Sequence, residues 1–70
     1  MRQNDIRAEY NKFVQEYGIT QMQVAGIIDV DFRDLSKFKN DRKDLPMDKL
    51  KQLKRLMTKY AKTIDSLAYD

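Results

Sequence analysis

The stretch GITQMQVAGIIDVDFRDLSKFKN, residues 18–40, decides the fold that this 70-residue chain can adopt. It predicts a short helix over about residues 21–28, for which Thr20 is a suitable N-cap. It predicts a second short helix over about residues 32–40. The residues from Asp29 to Asp31 predict a tight turn, because Asp tolerates unusual backbone angles and can cap the helix that follows.

The apolar positions of these two helices indicate which of their faces are buried. In the second helix, Leu35 and Phe38 are three residues apart and are expected to face the core. In the first helix, the apolar side is expected to comprise Met22, Ala25 and Ile28, with Val24 and Ile27 flanking it.

An amphipathic helix is predicted on the N-terminal side of this stretch, over residues 5–17. Its apolar positions are Ile6, Tyr10, Phe13, Val14 and Tyr17. Its outward positions are expected to be Arg7, Glu9, Lys12, Gln15 and Glu16. Gly18 follows the last apolar position, where a left-handed residue commonly ends a helix.

A longer helix is predicted on the C-terminal side, and Pro46 suits its first turn. Its apolar residues are spaced three or four apart: Leu50, Leu53, Met57, Tyr60, Ile64 and Leu67. The first half of this seam closes the core. The C-terminal extension, residues 60–70, either packs back as a fifth element on the N-terminal helix over residues 5–17 or pairs with a second copy. We expect pairing, through Tyr60, Ile64 and Leu67.

These patterns predict one all-α domain over residues 1–70, a small bundle of four or five helices. The chain is too short to bury a large core, so its free energy of unfolding is expected to be only about 3–5 kcal/mol. A partner subunit is therefore plausible.

The central stretch resembles the helix-turn-helix region of the Cro/C1-type, lambda repressor-like family of phage and bacterial repressors. The matching positions are Gly18, Thr20, Gln21, Ala25, Val30, Leu35, Ser36, Phe38 and Asn40, and the likeness covers about residues 6–57. It implies a four- to five-helix bundle of that type whose recognition helix, residues 32–40, enters the major groove of double-stranded DNA. It implies a transcriptional regulator, acting as a repressor by operator occupancy and binding at least on DNA as a homodimer.

The resemblance also implies which residues contact DNA. Those facing base edges are Phe32, Arg33, Ser36 and Lys37. Arg33 is the foremost candidate, since a guanidinium can bond guanine O6 and N7 together. Those facing phosphates are Gln21, Asn40, Arg42 and Lys43. Without the resemblance, the four cationic residues would be interpreted as solvated surface charges.

The charge distribution supports a second hypothesis. The net charge is +3, yet residues 29–44 carry five positive and five negative groups. Carboxylates repel phosphates, so a near-neutral recognition segment also fits a protein-interaction module built on a helix-turn-helix frame, such as an antirepressor or an assembly factor. That module would depend on Phe32 and the C-terminal seam.

The composition excludes several other classes of function. The chain has no cysteine and no histidine, which removes disulfides, thiolate nucleophiles, imidazole bases and nearly every zinc site. No nucleophile–base set or phosphate-binding glycine loop can be assembled, so we expect no enzyme, no metal and no cofactor. No apolar run approaches the length needed to cross a bilayer, so we expect no membrane partner and a cytoplasmic location.

Overall fold

The fold was analysed on a computed structural model, which describes the backbone of residues 2–68 and the side chains of residues 2–61. The described backbone contains four helices and no strand: α1 (Gln3–Tyr17), α2 (Gln21–Ile28), α3 (Phe32–Lys39) and α4 (Met47–Ala68). Helices α1 and α2 each pack against both α3 and α4. The expectation of a small all-helical bundle is thus confirmed, with the two short central helices at the predicted positions.

One apolar core joins all four helices. It consists of Ile6, Tyr10, Phe13, Val24, Ala25, Ile28, Leu35, Phe38, Leu45, Leu50, Leu53 and Met57, all of them buried. Leu35 and Phe38 face this core, as predicted. The first half of the α4 seam, Leu50 to Met57, closes it from the other side.

The predicted buried face of α2 is wrong in one respect. Met22 is 70% exposed, whereas Val24, predicted to flank the buried side, is completely buried. At about 100° per residue, positions 24, 25 and 28 lie within an arc of about 100°, and position 22 lies outside it. A helix of two turns packed against both α3 and α4 buries that arc rather than the stripe that begins at Met22.

The predicted C-terminal end of α1 and the predicted N-terminal ends of α2 and α3 are confirmed by their capping geometry. The predicted start of α1 is wrong, because α1 begins at Gln3 rather than at residue 5 and has no side-chain cap. Gly18 ends α1 in the left-handed conformation, with φ of 67°. Thr20 and Gln23 form a capping box, in which each accepts a hydrogen bond from the other's backbone N–H, at 3.2 and 3.0 Å. Asp31 caps α3 by accepting from the backbone N–H of Arg33 at 2.7 Å. Pro46 lies one residue before α4 rather than inside it.

Asp29 and Asp41 adopt left-handed backbone angles, with φ of 57° and 61°. These are conformations that L-residues adopt at a cost, although Asp tolerates them better than most residues do. Asp29 ends α2, and its backbone N–H bonds the carbonyl oxygen of Ala25. Asp41 lies in the loop after α3.

We predict that Asp29→Gly raises the free energy of unfolding by up to about 1 kcal/mol, because glycine removes the backbone strain. Urea unfolding measures the change. The matched control is Asp41→Gly, which relieves similar strain but also deletes an ion pair with Arg7 and should gain nothing. Equal gains from both substitutions would contradict the role assigned to Asp41.

The prediction that Arg7 lies on the outer face of α1 is wrong. Arg7 is only 7% exposed. Its helical position explains why, because position 7 lies only about 20° from Val14 around the α1 axis, at the edge of the apolar stripe. The structure buries this edge against the end of α3 and the loop that follows it.

Tyr10 is completely buried in the core, and its hydroxyl has no hydrogen-bond partner among the described residues. Burial disfavours the phenolate and raises the pKa of Tyr10 from 10.0 to about 12. The unfolded chain therefore releases this proton at lower pH than the folded chain does. The contribution of Tyr10 to stability is complete below pH 10 and is lost as the pH rises toward 12.

We predict that Tyr10→Phe is at least as stable as the parent at pH 7, because it removes a buried hydroxyl that lacks a partner. Urea unfolding at several pH values should also show a smaller loss of stability above pH 10 in the variant. A loss of more than about 1 kcal/mol at pH 7 would show instead that the hydroxyl is bonded.

Tyr60 belongs to an aromatic cluster within the chain. Its ring centroid lies 5.4 Å from that of Phe13 and 5.4 Å from that of Tyr17. The predicted dimerisation residue Tyr60 is thus half-buried against α1. Ile64 and Leu67, the other two, lie outside the residues whose side chains are described. Helix α4 continues to Ala68, so the described backbone has no separate fifth helix.

Candidate nucleic-acid interface

Helix α3 has one buried side and one outward side. Leu35 and Phe38 are completely buried. The four predicted base-contacting residues span an arc of about 140° on the opposite side of the helix. Arg33 and Lys37 are exposed, Phe32 is 44% exposed and Ser36 is half-buried. The structure therefore brings all four onto one outward surface, which we call the α3 face (Phe32, Arg33, Ser36 and Lys37).

The turn before α3 fixes how this face is presented. The backbone N–H of Val30 donates to the carbonyl of Ala25 at 3.0 Å, which ties the turn to α2. Leu35 donates its backbone N–H to the carbonyl of Asp31 at 3.1 Å, and the Asp31 side chain caps the first turn. Asp31 therefore has a structural role in starting α3. Its charge also suits the positive end of the helix dipole.

The end of α3 is held by a side chain of α1 and by the side chain of its C-cap residue. Asn11 donates from Nδ2 to the carbonyl oxygens of Arg7 and Lys39, at 3.0 and 3.2 Å. Asn40 donates from its Nδ2 to the carbonyl of Ser36 at 2.9 Å. The predicted phosphate contact Asn40 is exposed, but its amide nitrogen bonds its own helix.

Arg7 is the hub of the loop between α3 and α4. Its Nε donates to the carbonyl oxygen of Phe38, and its Nη1 donates to the Asn4 side chain. Its Nη2 donates to the carbonyl oxygen of Lys43 at 3.2 Å. Its guanidinium also lies over the Phe38 ring, 4.7 Å from the centroid. A single buried cation thus joins α1, the end of α3 and the loop.

Two carboxylates of the loop pair with this cation. Asp44 accepts from Nη2 of Arg7 at 2.9 Å, and Asp41 lies 3.2 Å from Nη1. Both carboxylates were counted against DNA binding from the sequence, yet their counter-charge comes from α1. Residues 29–44 carry five positive and five negative groups, and Arg7 adds a sixth positive group to this region.

The predicted phosphate contacts differ in how exposed their side chains are. Arg42 and Lys43 are exposed in the loop. Lys43 forms an ion pair with Asp34, with 3.0 Å between Nζ and Oδ1, and both side chains are substantially exposed. An exposed pair of this kind contributes only about 0–1 kcal/mol, so a phosphate can compete for the lysine.

Gln21 opens α2 and is half-buried. Its Oε1 atom is buried and has no hydrogen-bond partner among the described residues. A phosphate oxygen would accept a hydrogen bond from the side-chain nitrogen of Gln21. The first backbone N–H groups of a helix point outward from its N-terminus, where an anion can bind them.

A groove of about 420 Å³ lies beside this surface, between the α2–α3 turn and the loop before α4. Its lining includes Asp29, Asp31, Asp34 and Asp44, together with apolar Val30, Leu45 and Pro46. Among the described residues, no group of carboxylates is arranged to hold a metal ion. Lys43 and Lys49 also line the groove and partly balance its four carboxylates, so it is a border of mixed charge beside the α3 face.

Sequence reasoning missed Arg7 as part of this site. The available signal was its position at the edge of the α1 stripe. Asp41 and Asp44 gave no such signal, because Arg42 and Lys43 stand between them in the sequence.

No family model, curated protein or solved structure matches the chain. Within residues 2–68, no helix is long and apolar enough to cross a membrane.

Proposed function

We propose that this chain is a sequence-specific regulator that binds double-stranded DNA in the cytoplasm, through a helix-turn-helix of the lambda repressor-like type. The observation that carries the proposal is the α3 face, an outward surface bearing two exposed cations and opposite the completely buried Leu35 and Phe38. A short helix held by a tight turn and backed by core residues is suited to enter a major groove.

The base-reading roles follow from side-chain chemistry. Arg33 bonds guanine O6 and N7 in a bidentate manner, and Lys37, one turn later, bonds an acceptor on a neighbouring base. Phe32 contacts a thymine methyl group, and Ser36 donates or accepts a hydrogen bond at a base edge. A discrimination of about 1–3 kcal/mol is typical for one good bidentate pair.

The phosphate-binding roles surround this face. Arg42 and Lys43 contact the backbone on one side of the groove, and Gln21 donates to a phosphate from the start of α2. Asn40 contacts a phosphate through side-chain atoms that its hydrogen bond to the Ser36 carbonyl oxygen does not use. These contacts set orientation and carry no sequence information.

Two copies acting together give such a small reader its specificity. We propose a homodimer on DNA, with half-sites about 34 Å apart, in which the C-terminal residues Ile64 and Leu67 pair. Binding at an operator excludes other proteins from it, so repression needs no catalysis, metal or cofactor.

The salt dependence of binding tests the proposal. We expect anisotropy titrations of a labelled 24-base-pair duplex to show an affinity that falls with salt, with a logarithmic slope of about −2 to −4 per chain. Arg42→Ala should reduce the slope by about 1. The matched control is Lys12→Ala, an exposed cation on α1, which should leave the slope unchanged. Binding that is absent or insensitive to salt would contradict the proposal.

A second candidate function is a protein-interaction module on the same frame, such as an antirepressor. The observation that favours it is the exposed aromatic ring of Phe32 on the α3 face. In that case Phe32→Ser would abolish binding to a protein partner, while Arg33→Ala would have little effect.

A further inference from the structure

A second surface, separate from the α3 face, lies between α2 and α4. It is a shallow groove of about 240 Å³, lined by Ile27, Ile28, Gln52, Arg55, Leu56 and Lys59, which we call the α2–α4 groove. It shares no residue with the α3 face or with the predicted phosphate contacts. The proposed DNA-binding function therefore does not account for it.

The groove has an apolar floor that water reaches. Ile27 is 59% exposed, and Leu56 on α4 is half-buried. Helix α2, with the sequence QMQVAGII, has no charged residue at all. A solvent-facing helix without a charge is unusual in a chain in which 36% of the residues are charged.

The rim of the groove is cationic. Arg55 is exposed, and Lys59 lines the same edge one turn later along α4. None of the described lining residues is acidic. Apolar residues beside cations complement a helix that has an apolar stripe flanked by carboxylates.

We propose that the α2–α4 groove docks an amphipathic helix of a protein partner, with apolar residues at i, i+3 or i+4 and i+7, and with glutamate or aspartate beside them. Ile27 and Leu56 contact the apolar stripe of that helix. Arg55 pairs with one of its carboxylates. A partner of this kind binds by the helix-in-groove mode.

Charge argues for such a partner over a second copy of the chain. A two-fold pairing through this groove would bring Arg55 and Lys59 of one copy close to the same residues of the other. Like charges facing each other at an interface are unfavourable. The phosphate backbone of DNA complements the cations but offers little apolar surface to the exposed isoleucine.

Selection from a displayed library of 16-residue helical peptides tests the proposal with the intact chain as bait. The expected result is enrichment of peptides with net negative charge and apolar residues at helical spacing. Chemical shifts of the ¹⁵N-labelled chain should then move at Ile27, Arg55 and Leu56 when an enriched peptide is added. Ile27→Ser and Arg55→Glu should each weaken that peptide's binding at least tenfold.

The control variants keep the same helices and lie outside the groove. Met22→Ser removes an exposed apolar residue of α2, and Lys51→Glu reverses an exposed charge of α4. Both should bind the enriched peptide like the parent, and circular dichroism should show all four variants folded. No enrichment, enrichment of basic peptides, or binding that survives both groove substitutions would overturn the proposal.

Two further measurements address other occupants. Sedimentation equilibrium that shows dimers lost on Ile27→Ser would assign the groove to a second copy. Shifts at Arg55 and Leu56 on adding a DNA duplex would assign it to nucleic acid. Either outcome overturns the proposal, and neither depends on whether the α3 face binds DNA.

Discussion

Arg7→Met should lower the free energy of unfolding by about 2–4 kcal/mol, which approaches the whole stability expected of a domain this small. Urea unfolding followed by circular dichroism measures the change. The substitution keeps much of the side-chain volume, so the loss reports the hydrogen bonds and charge rather than a cavity.

The reason for this large effect is what the substitution leaves behind. Methionine cannot donate to the carbonyl oxygens of Phe38 and Lys43, which lie at the end of α3 and in the following loop. It also leaves Asp41 and Asp44 without their cation. Those two carboxylates remain largely exposed to water, so most of the cost comes from the unpaired carbonyl oxygens and the freed loop.

Lys12→Met is the matched control, because it removes an exposed cation from the same helix. It should change stability by less than about 0.5 kcal/mol. Arg7→Lys should retain only part of the stability, since an ammonium has no planar fork. An Arg7→Met variant as stable as the Lys12→Met control would contradict the role of Arg7 as the hub of the loop.

Arg33→Ala and Lys37→Ala should each weaken binding to a selected DNA site by about 10- to 100-fold, equivalent to about 1–3 kcal/mol. Both side chains are exposed on the α3 face, so neither substitution should alter the fold. Anisotropy titrations against the selected duplex and against a mixed-sequence duplex measure the two affinities.

Both variants should also relax specificity, each at one base position, because both side chains are assigned to base reading. Lys39→Ala, a half-buried cation outside the α3 face, provides a control that keeps specificity. Equal losses on selected and mixed duplexes would show that Arg33 contacts only the backbone.

The end of α1 and the starts of α2 and α3 were predictable from the sequence because local chemistry determines them, whereas the start of α1 at Gln3 has no side-chain cap to mark it. Gly18 ends α1 in the left-handed conformation, and Thr20 has a capping partner three residues later. The Asp31 side chain accepts a hydrogen bond from a backbone N–H of the first turn of α3. Each signal acts within four residues of itself. The outward side of α3 was predictable for a related reason, since Leu35 and Phe38 are the only apolar residues that follow Phe32 in that helix.

The remaining features depend on contacts between distant residues. Arg7 meets residues 31 to 37 positions away, and no local pattern predicts such a partner. The exposure of Met22 depends on how α2 lies against α3 and α4. The contact of Tyr60 with Phe13 and Tyr17 depends on the angle between α1 and α4, so the spacing of the seam alone could not decide whether Tyr60 packs on α1 or pairs with a second copy.

The most direct test of DNA binding is selection of bound duplexes from a random library at near-physiological salt, followed by sequencing. The account predicts an enriched inverted repeat with half-sites about one helical turn apart, in which one base position of each half-site loses its preference when the bait is Arg33→Ala. A pool without enrichment, from a bait shown to be folded, would contradict it and identify Arg33 and Lys37 as ordinary surface charges.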